Sequence, residues 1–436
     1  MKNMLIWLSW IEMIPNIIKI EKEGKNYILF NKRGMVLELT AKEYSVFKKY
    51  AGQKKIPKNH EEFFNKLCCY EMTEFEDHAP TNVPKEYSQK LFHHNSDKPV
   101  FKSPIIAHLG ITSACNMKCR YCSIRQPYNK IKELSTDDWK IIIKKLADLG
   151  VFQIGFTGGE PTLRKDLINL ARYVSSLDCT FNLTTNCWKL DEKLISKLKE
   201  AGMRQCQVSL DCHVPKVNDK LRAKGSFKSV SKAIDLLKKY DISVGIDCVV
   251  SKNNLNHIPE FVEWLSKKDV PYLTLIKIKQ GDLPLEVFKK LLPDYFEYSQ
   301  IIEKLCDRKN ADPCVTLDCG SVSNLQYTLK DDELSKVPIA GCPMGHTLLS
   351  ISPNGDIYPC VALSNQEFKV GNALKDDLKS MWKDNNVLKE LRLVKSKVQG
   401  ICKGCDRLDH CRGGCRGIAY SLYGNLWESD KTCLRR

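Results

Sequence analysis

From Pro104 onward, apolar residues follow two alternating periods. Short runs rich in β-branched and aromatic residues are each followed by a stretch with apolar residues every three or four positions. A period near two reads as a strand and one near 3.6 as a helix, so the pattern predicts repeated β/α units and a parallel sheet. The expected strands are Ile105 to Ile111, Val151 to Phe156, Thr180 to Thr184, Gln205 to Leu210, Ser243 to Val250 and Tyr272 to Ile278. The first expected helix is capped by Ser135 or Thr136, runs through Leu146 and is closed by Gly150. The others cover Leu167 to Val174, Glu192 to Ala201, Val230 to Tyr240, Ile258 to Leu265 and Leu285 to Leu305.

Ahead of this repeat the pattern changes. Asn16 to Glu21 and Asn26 to Asn31 read as strands, and a turn at Arg33-Gly34 leads into a third, Met35 to Leu39. Thr40 can cap a helix with Tyr44, Val46 and Phe47 inside, and Asn59 or His60 starts another carrying Phe63, Phe64 and Leu67. Glu71 to Lys102 is polar, rich in His and Pro and without clean period, which predicts a linker. Met4 to Ile11 is apolar, but Glu12 follows at once and no small-residue cleavage site appears. No apolar run reaches the roughly 20 residues that a membrane span needs, so no membrane partner is expected.

Length and composition narrow the class. A chain of 436 residues with 43% hydrophobic content is a globular protein of two or three domains. The net charge of +16 raises a nucleic-acid reading. The lysines, however, are spread over helices such as Lys189 to Lys199 and Lys228 to Lys239, where solvated faces account for them, and no nucleic-acid partner is called for. Twenty cysteines are many, and their clustering favours metal ligation in a reducing cytoplasm over a disulfide framework. Cys68, Cys69, Cys179, Cys187, Cys206, Cys212, Cys248 and Cys306 are scattered and read as small apolar fillers.

One cysteine cluster follows the first strand of the repeat, with Cys115, Cys119 and Cys122 spaced x3 and x2. Three thiolates on a four-iron cubane leave one iron open, and an open coordination position is where metal chemistry occurs. A zinc knuckle or a disulfide loop could use the same residues, but zinc reads as paired units closing four ligands, and no fourth lies near. The spacing resembles the radical S-adenosylmethionine (radical SAM) superfamily, as does Tyr121 before the third cysteine. That resemblance implies an open partial (β/α)6 barrel of class α/β. It also implies a cleaving [4Fe–4S] cluster whose fourth iron is chelated by S-adenosylmethionine. A flavodoxin or ferredoxin-type reductant would supply the electron that yields a 5′-deoxyadenosyl radical. Thr157-Gly158-Gly159-Glu160-Pro161, one strand later, looks like the superfamily's methionine-binding motif, which assigns that role to Gly158, Gly159 and Glu160. Ser209 and Asp211 stand where relatives place contacts to the ribose or carboxylate, and Arg222 is similar to an arginine that pairs with the carboxylate.

The remaining ligand-like cysteines are Cys342, Cys360, Cys402, Cys405, Cys411, Cys415 and Cys433. This block resembles the SPASM domain, the auxiliary-cluster module of peptide-modifying radical SAM enzymes. The resemblance implies that Cys402, Cys405, Cys411 and Cys433 close one auxiliary [4Fe–4S] cluster, and that Cys342, Cys360 and Cys415 give three ligands to another, three clusters in all. The missing ligand falls to Cys319 or Cys314, or the site is open to substrate; a two-zinc module is the alternative. The N-terminal strands and helices look like the leader-binding (RiPP recognition element-like) domain of enzymes that modify ribosomally made peptides, with a plain structural cap as the alternative. The expected domains are a winged-helix-like 1–85, a linker 86–103, the radical SAM barrel 104–310 and the SPASM domain 311–436. The expected function is a cytoplasmic maturase that cross-links a ribosomal precursor peptide through thioether or carbon–carbon bonds, with an auxiliary cluster accepting the surplus electron. A sulfatase-type maturase forming formylglycine and a zinc-bearing nucleic-acid-binding protein are the rivals.

Overall fold

A computed structural model describes residues 17–23, 26–31, 36–50, 103–123, 132–281, 283–306, 314–317, 342–406 and 408–433. The expected helix from Asn59 or His60, the polar linker and Cys319 lie outside these residues. The described chain falls into two compact units, the first holding residues 17–50 and the second, apart from a short piece at 178–180, the residues from 103 onward.

In the first unit, β1 (Ile17–Glu23), β2 (Asn26–Asn31) and β3 (Val36–Leu39) form an antiparallel sheet with β2 in the centre. Helix α1 (Ala41–Tyr50) follows. Thr40 and Glu43 cap it reciprocally: the Glu43 N–H donates to the Thr40 hydroxyl at 3.2 Å and the Thr40 N–H to the Glu43 carboxylate at 2.8 Å. Leu39 at the end of β3 and Phe47 of α1 are both buried.

The second unit is built on a ten-stranded sheet. Its repeat runs β4 (Ile106–Thr112), α2 (Thr136–Leu149), β5 (Gln153–Gly158), α3 (Leu167–Ser176), β6 (Thr180–Thr185), α4 (Glu192–Glu200) and β7 (Gln205–Ser209). It continues through α5 (Pro215–Leu221), α6 (Ser226–Lys239), β8 (Ser243–Val250), α7 (Ile258–Lys267) and β9 (Tyr272–Lys277). Strands β4 to β9 lie side by side in chain order, with β4–β5, β6–β7, β7–β8 and β8–β9 paired parallel. Along β4 the two-residue period buries Ala107, Leu109 and Ile111, whereas His108 faces a cavity inside the curved sheet. β5 starts at Gln153 because Val151 belongs to the preceding helix end, its N–H donating to the Leu146 carbonyl at 2.9 Å.

Three features depart from the sequence reading. The stretch Leu285 to Leu305 is two helices, α8 (Leu285–Leu291) and α9 (Tyr295–Cys306). Pro293 pushes Leu292 into extended backbone (φ −58°, ψ 133°), and the Asp294 carboxylate then accepts the Phe296 and Glu297 N–H groups at 2.9 and 3.0 Å to start the second helix. The segment from Cys314, read as the opening of the last domain, begins with β10 (Cys314–Leu317), which pairs parallel with β9 and extends the same sheet. At the opposite edge β11 (Leu348–Ile351) pairs parallel with β4 and antiparallel with β12 (Asp356–Tyr358), which pairs with β13 (Gly371–Asn372). The cysteine-rich segment is therefore joined to the barrel edge by backbone hydrogen bonds.

Candidate active site

Strand β4 ends at Thr112, and the chain enters the loop bearing Cys115, Cys119 and Cys122. The turn after β5 is stitched onto this loop. The Gly159 N–H donates to the Thr112 carbonyl at 2.8 Å and the Glu160 N–H to the Ala114 carbonyl at 2.7 Å. Glycine is required there by contact: a Cβ on Gly158 would lie 2.3 Å from the Thr112 oxygen and one on Gly159 2.2 Å from the Ala114 oxygen. These glycines thus bring the two loops together, and the amides of Gly159 and Glu160 face the cysteine loop.

Glu160 is 1% exposed, and its carboxylate accepts four hydrogen bonds. The donors are the Thr162 N–H (3.1 Å) and hydroxyl (2.6 Å), the Thr185 hydroxyl (2.7 Å) and the Asn186 N–H (2.8 Å). Burial raises its carboxyl above the ordinary range, with those donors opposing the rise. Asn186, which no sequence motif marks, closes the circuit. Its side-chain amide donates to the Asn116 side-chain oxygen Oδ1 at 2.8 Å and lies 4.0 Å from the Cys115 sulfur.

A second support lies beneath the loop. Asp211 is fully buried and does not line the cavity. Arg222 pairs with it at 2.8 and 2.9 Å, the Val249 N–H donates to it at 3.0 Å, and the Tyr121 hydroxyl donates to it as well. The Arg222 guanidinium sits 5.6 Å from the Tyr121 ring centroid. Asp211 was expected to touch the ribose or carboxylate of the cofactor; its carboxylate is instead committed to holding Tyr121, between Cys119 and Cys122. Burial, first of all, keeps Tyr121 a neutral phenol and so a hydrogen-bond donor.

These parts surround a cavity of about 560 Å³. Cys115, Cys119 and Cys122 line it from the β4 loop, together with Tyr121, Gly158, Gly159, Glu160, Ser209 and Arg222. Cys342, Cys360 and Cys415 line it too. Burial and the neighbouring Cys342 and Cys415 thiols push the Cys360 thiol up, so these three are close neighbours. Cys402, Cys411 and Cys433 form a separate group outside the cavity lining: burial first, then Cys433 and Asp430, push the Cys411 thiol up to about 12. Cys405 is half-buried and its N–H donates to the Cys402 carbonyl at 3.2 Å. None of these cysteines is joined in a disulfide, and a metal ligand must be the deprotonated thiolate. Among the described residues no group of three or more His, Cys, Asp or Glu side chains is placed to hold a metal ion.

Comparison with known proteins fits this arrangement. Residues 109–265 match the radical SAM superfamily and residues 342–406 match SPASM, an iron-sulfur cluster-binding domain. The chain carries a radical SAM domain and a SPASM domain. The radical SAM domain thus takes in β4, where the match begins, and runs through α7; the SPASM match opens at Cys342. S-adenosylmethionine and iron–sulfur clusters are the cofactors that these two domains bind. Mycofactocin maturase MftC of Mycolicibacterium smegmatis is 29% identical over 334 residues, 76% of this chain and 83% of the relative. PqqA peptide cyclase of Bradyrhizobium diazoefficiens is 26% identical over 348 residues, 78% and 88% of the two chains. The crystal structure of Streptococcus suis SuiB bound to precursor peptide SuiA superposes with a TM-score of 0.66 at 19% identity, over 95% of this chain and 98% of that one, a likeness of fold. Among the described residues no helix is long and apolar enough to cross a membrane.

Proposed function

We propose that this radical SAM–SPASM protein is a peptide maturase that takes a ribosomally made precursor, removes hydrogen from one of its residues and closes an intramolecular thioether or carbon–carbon cross-link. One observation carries the reading: the three thiols of the β4 loop and those of Cys342, Cys360 and Cys415 line the same cavity. A substrate residue held there lies within reach of both sets. The relatives named a maturase and a peptide cyclase support a peptide substrate.

The donor set suits iron–sulfur clusters, being all cysteine, with six of the thiols at a cavity large enough for a bound cofactor and a peptide side chain. Cys115, Cys119 and Cys122 would hold the cleaving cluster; Cys402, Cys405, Cys411 and Cys433 one auxiliary cluster; Cys342, Cys360 and Cys415 three ligands of another. When bound, the clusters and S-adenosylmethionine supply the one-electron chemistry, both hydrogen abstraction and uptake of the electron released on bond formation. The chain's own groups orient and seal. Asp211 and Arg222 fix Tyr121 within the loop, and Glu160 with Asn186 holds its other side. Gly158, Gly159 and Ser209 leave room and polar groups at the cavity wall for the cofactor. A flavodoxin or ferredoxin-type protein would deliver the electron.

The N-terminal unit would bind the leader of the precursor. Its three-stranded sheet ends in β1 and β3, and such an edge can accept an extended peptide as a further strand. A formylglycine-forming enzyme would have no need of that unit.

Replacing Cys115, Cys119 and Cys122 together by Ala tests the assignment. Production of 5′-deoxyadenosine should vanish while iron stays bound to the C-terminal cysteines. Continued cleavage of S-adenosylmethionine by that variant would overturn it.

A further inference from the structure

Lys277 is the last residue of β9 and lines the cavity, yet its side chain is 1% exposed. Its ammonium donates to the Thr432 carbonyl at 3.0 Å and hydroxyl at 2.8 Å, and lies 3.7 Å from the Asp430 carboxylate, also 1% exposed. Asp430 touches both groups of C-terminal cysteines. One carboxylate oxygen accepts the Cys415 N–H at 2.8 Å, and the other accepts the Thr432 N–H and hydroxyl at 2.8 and 2.6 Å. Its main-chain carbonyl accepts the Cys433 N–H at 3.0 Å. A buried pair is costly to desolvate, and two charges placed so close to thiol ligands act on them through a weakly screening interior.

We propose that the Lys277–Asp430 pair sets the reduction potential of the auxiliary cluster held by Cys402, Cys405, Cys411 and Cys433. The ammonium favours the reduced, more negative cluster and the carboxylate the oxidised one, since net charge and hydrogen bonding near the sulfurs tune such potentials. Both are positioning residues, acting through the ligand loop. The pair also makes a barrel strand part of the electrical surroundings of a C-terminal cluster. This inference rests on the ligand assignment made under the proposed function.

The test uses full-length protein with Cys115, Cys119 and Cys122 replaced by Ala, so that only auxiliary clusters give a paramagnetic signal on reduction. Redox titration of that parent is compared with the same chain carrying Lys277→Met, Asp430→Asn, both changes, or Lys277→Arg. Lys277→Met should shift the oxidised-to-reduced balance about tenfold toward oxidised, about 59 mV lower for one electron. Asp430→Asn, which keeps the side chain's shape, should shift it the opposite way. The double variant should return near the parent, and Lys277→Arg should stay close to it. Shifts of the same sign in both single variants, or no shift with iron per chain unchanged, would overturn the proposal. A parent without iron or signal would overturn the cluster assignment itself, and this inference with it.

Discussion

Arg222 and Asp211 show how much rests on single side chains at this site. They are 7% and 0% exposed, so replacing Arg222 by Met leaves a carboxylate buried without its charge partner. Such a change costs roughly 3–5 kcal/mol, and chemical denaturation of the anaerobic protein should show a loss in that range. Adding Asp211→Asn should recover much of it, because the stranded charge is then gone. Gly159→Ala acts differently, driving a methyl group against the rigid Ala114 and Ser113 backbone. At this scale the cysteines stood out by their spacing, while the Gly-Gly-Glu turn took on a role only through its resemblance to a superfamily motif one strand after them. The role of Asp211 was not, since its partners Tyr121 and Val249 lie 90 and 38 residues away. Asn186 was invisible for the same reason: a lone Asn after a strand gains meaning only when Asn116 is folded against it.

Among the elements, α2 does more than cover the sheet. It buries Trp139, Ile142, Ile143 and Leu146, while Lys145, on its rim, donates to the carbonyls of Ala373, Leu374 and Asp376 at 3.1, 2.9 and 3.0 Å. One ammonium thus ties the first helix of the barrel to the chain just after β13. Lys145→Met should cost roughly 1–3 kcal/mol, the range for lost charge-assisted hydrogen bonds, read as a lower urea midpoint with unchanged slope. The β/α alternation could be read from periodicity, which persists over several turns in α2, α6 and α7. Helix α5, seven residues opened by Pro215, is too short to show a period. The split between α8 and α9 was missed although Pro293 stands in the sequence; apolar spacing on both sides of it matched one longer helix. The pairing of β11 with β4 had no local signal, because parallel neighbours are chosen by the whole sheet.

For the molecule as a whole, the proposed function gives the N-terminal unit and the cavity separable tasks. A chain lacking residues 1–98 should keep its iron and still cleave S-adenosylmethionine, while its affinity for full-length precursor falls at least tenfold in a fluorescence binding titration. Binding as tight as that of the intact protein would show that this unit does not take the leader. The SPASM match and the radical SAM match, by contrast, belong to parts that share one sheet. That seam has a cost during synthesis. The outer edge of β4 finds its partner only when Leu348–Ile351 has been made, about 240 residues after Ile106. At ribosomal rates of about 5–20 residues per second, that edge waits on the order of 12–50 seconds with its hydrogen-bonding groups unclaimed. An open strand edge is a template for pairing with another chain. Nascent chains stalled before Leu348 should therefore need a chaperone to stay unaggregated, and those stalled well beyond Asn372 should not.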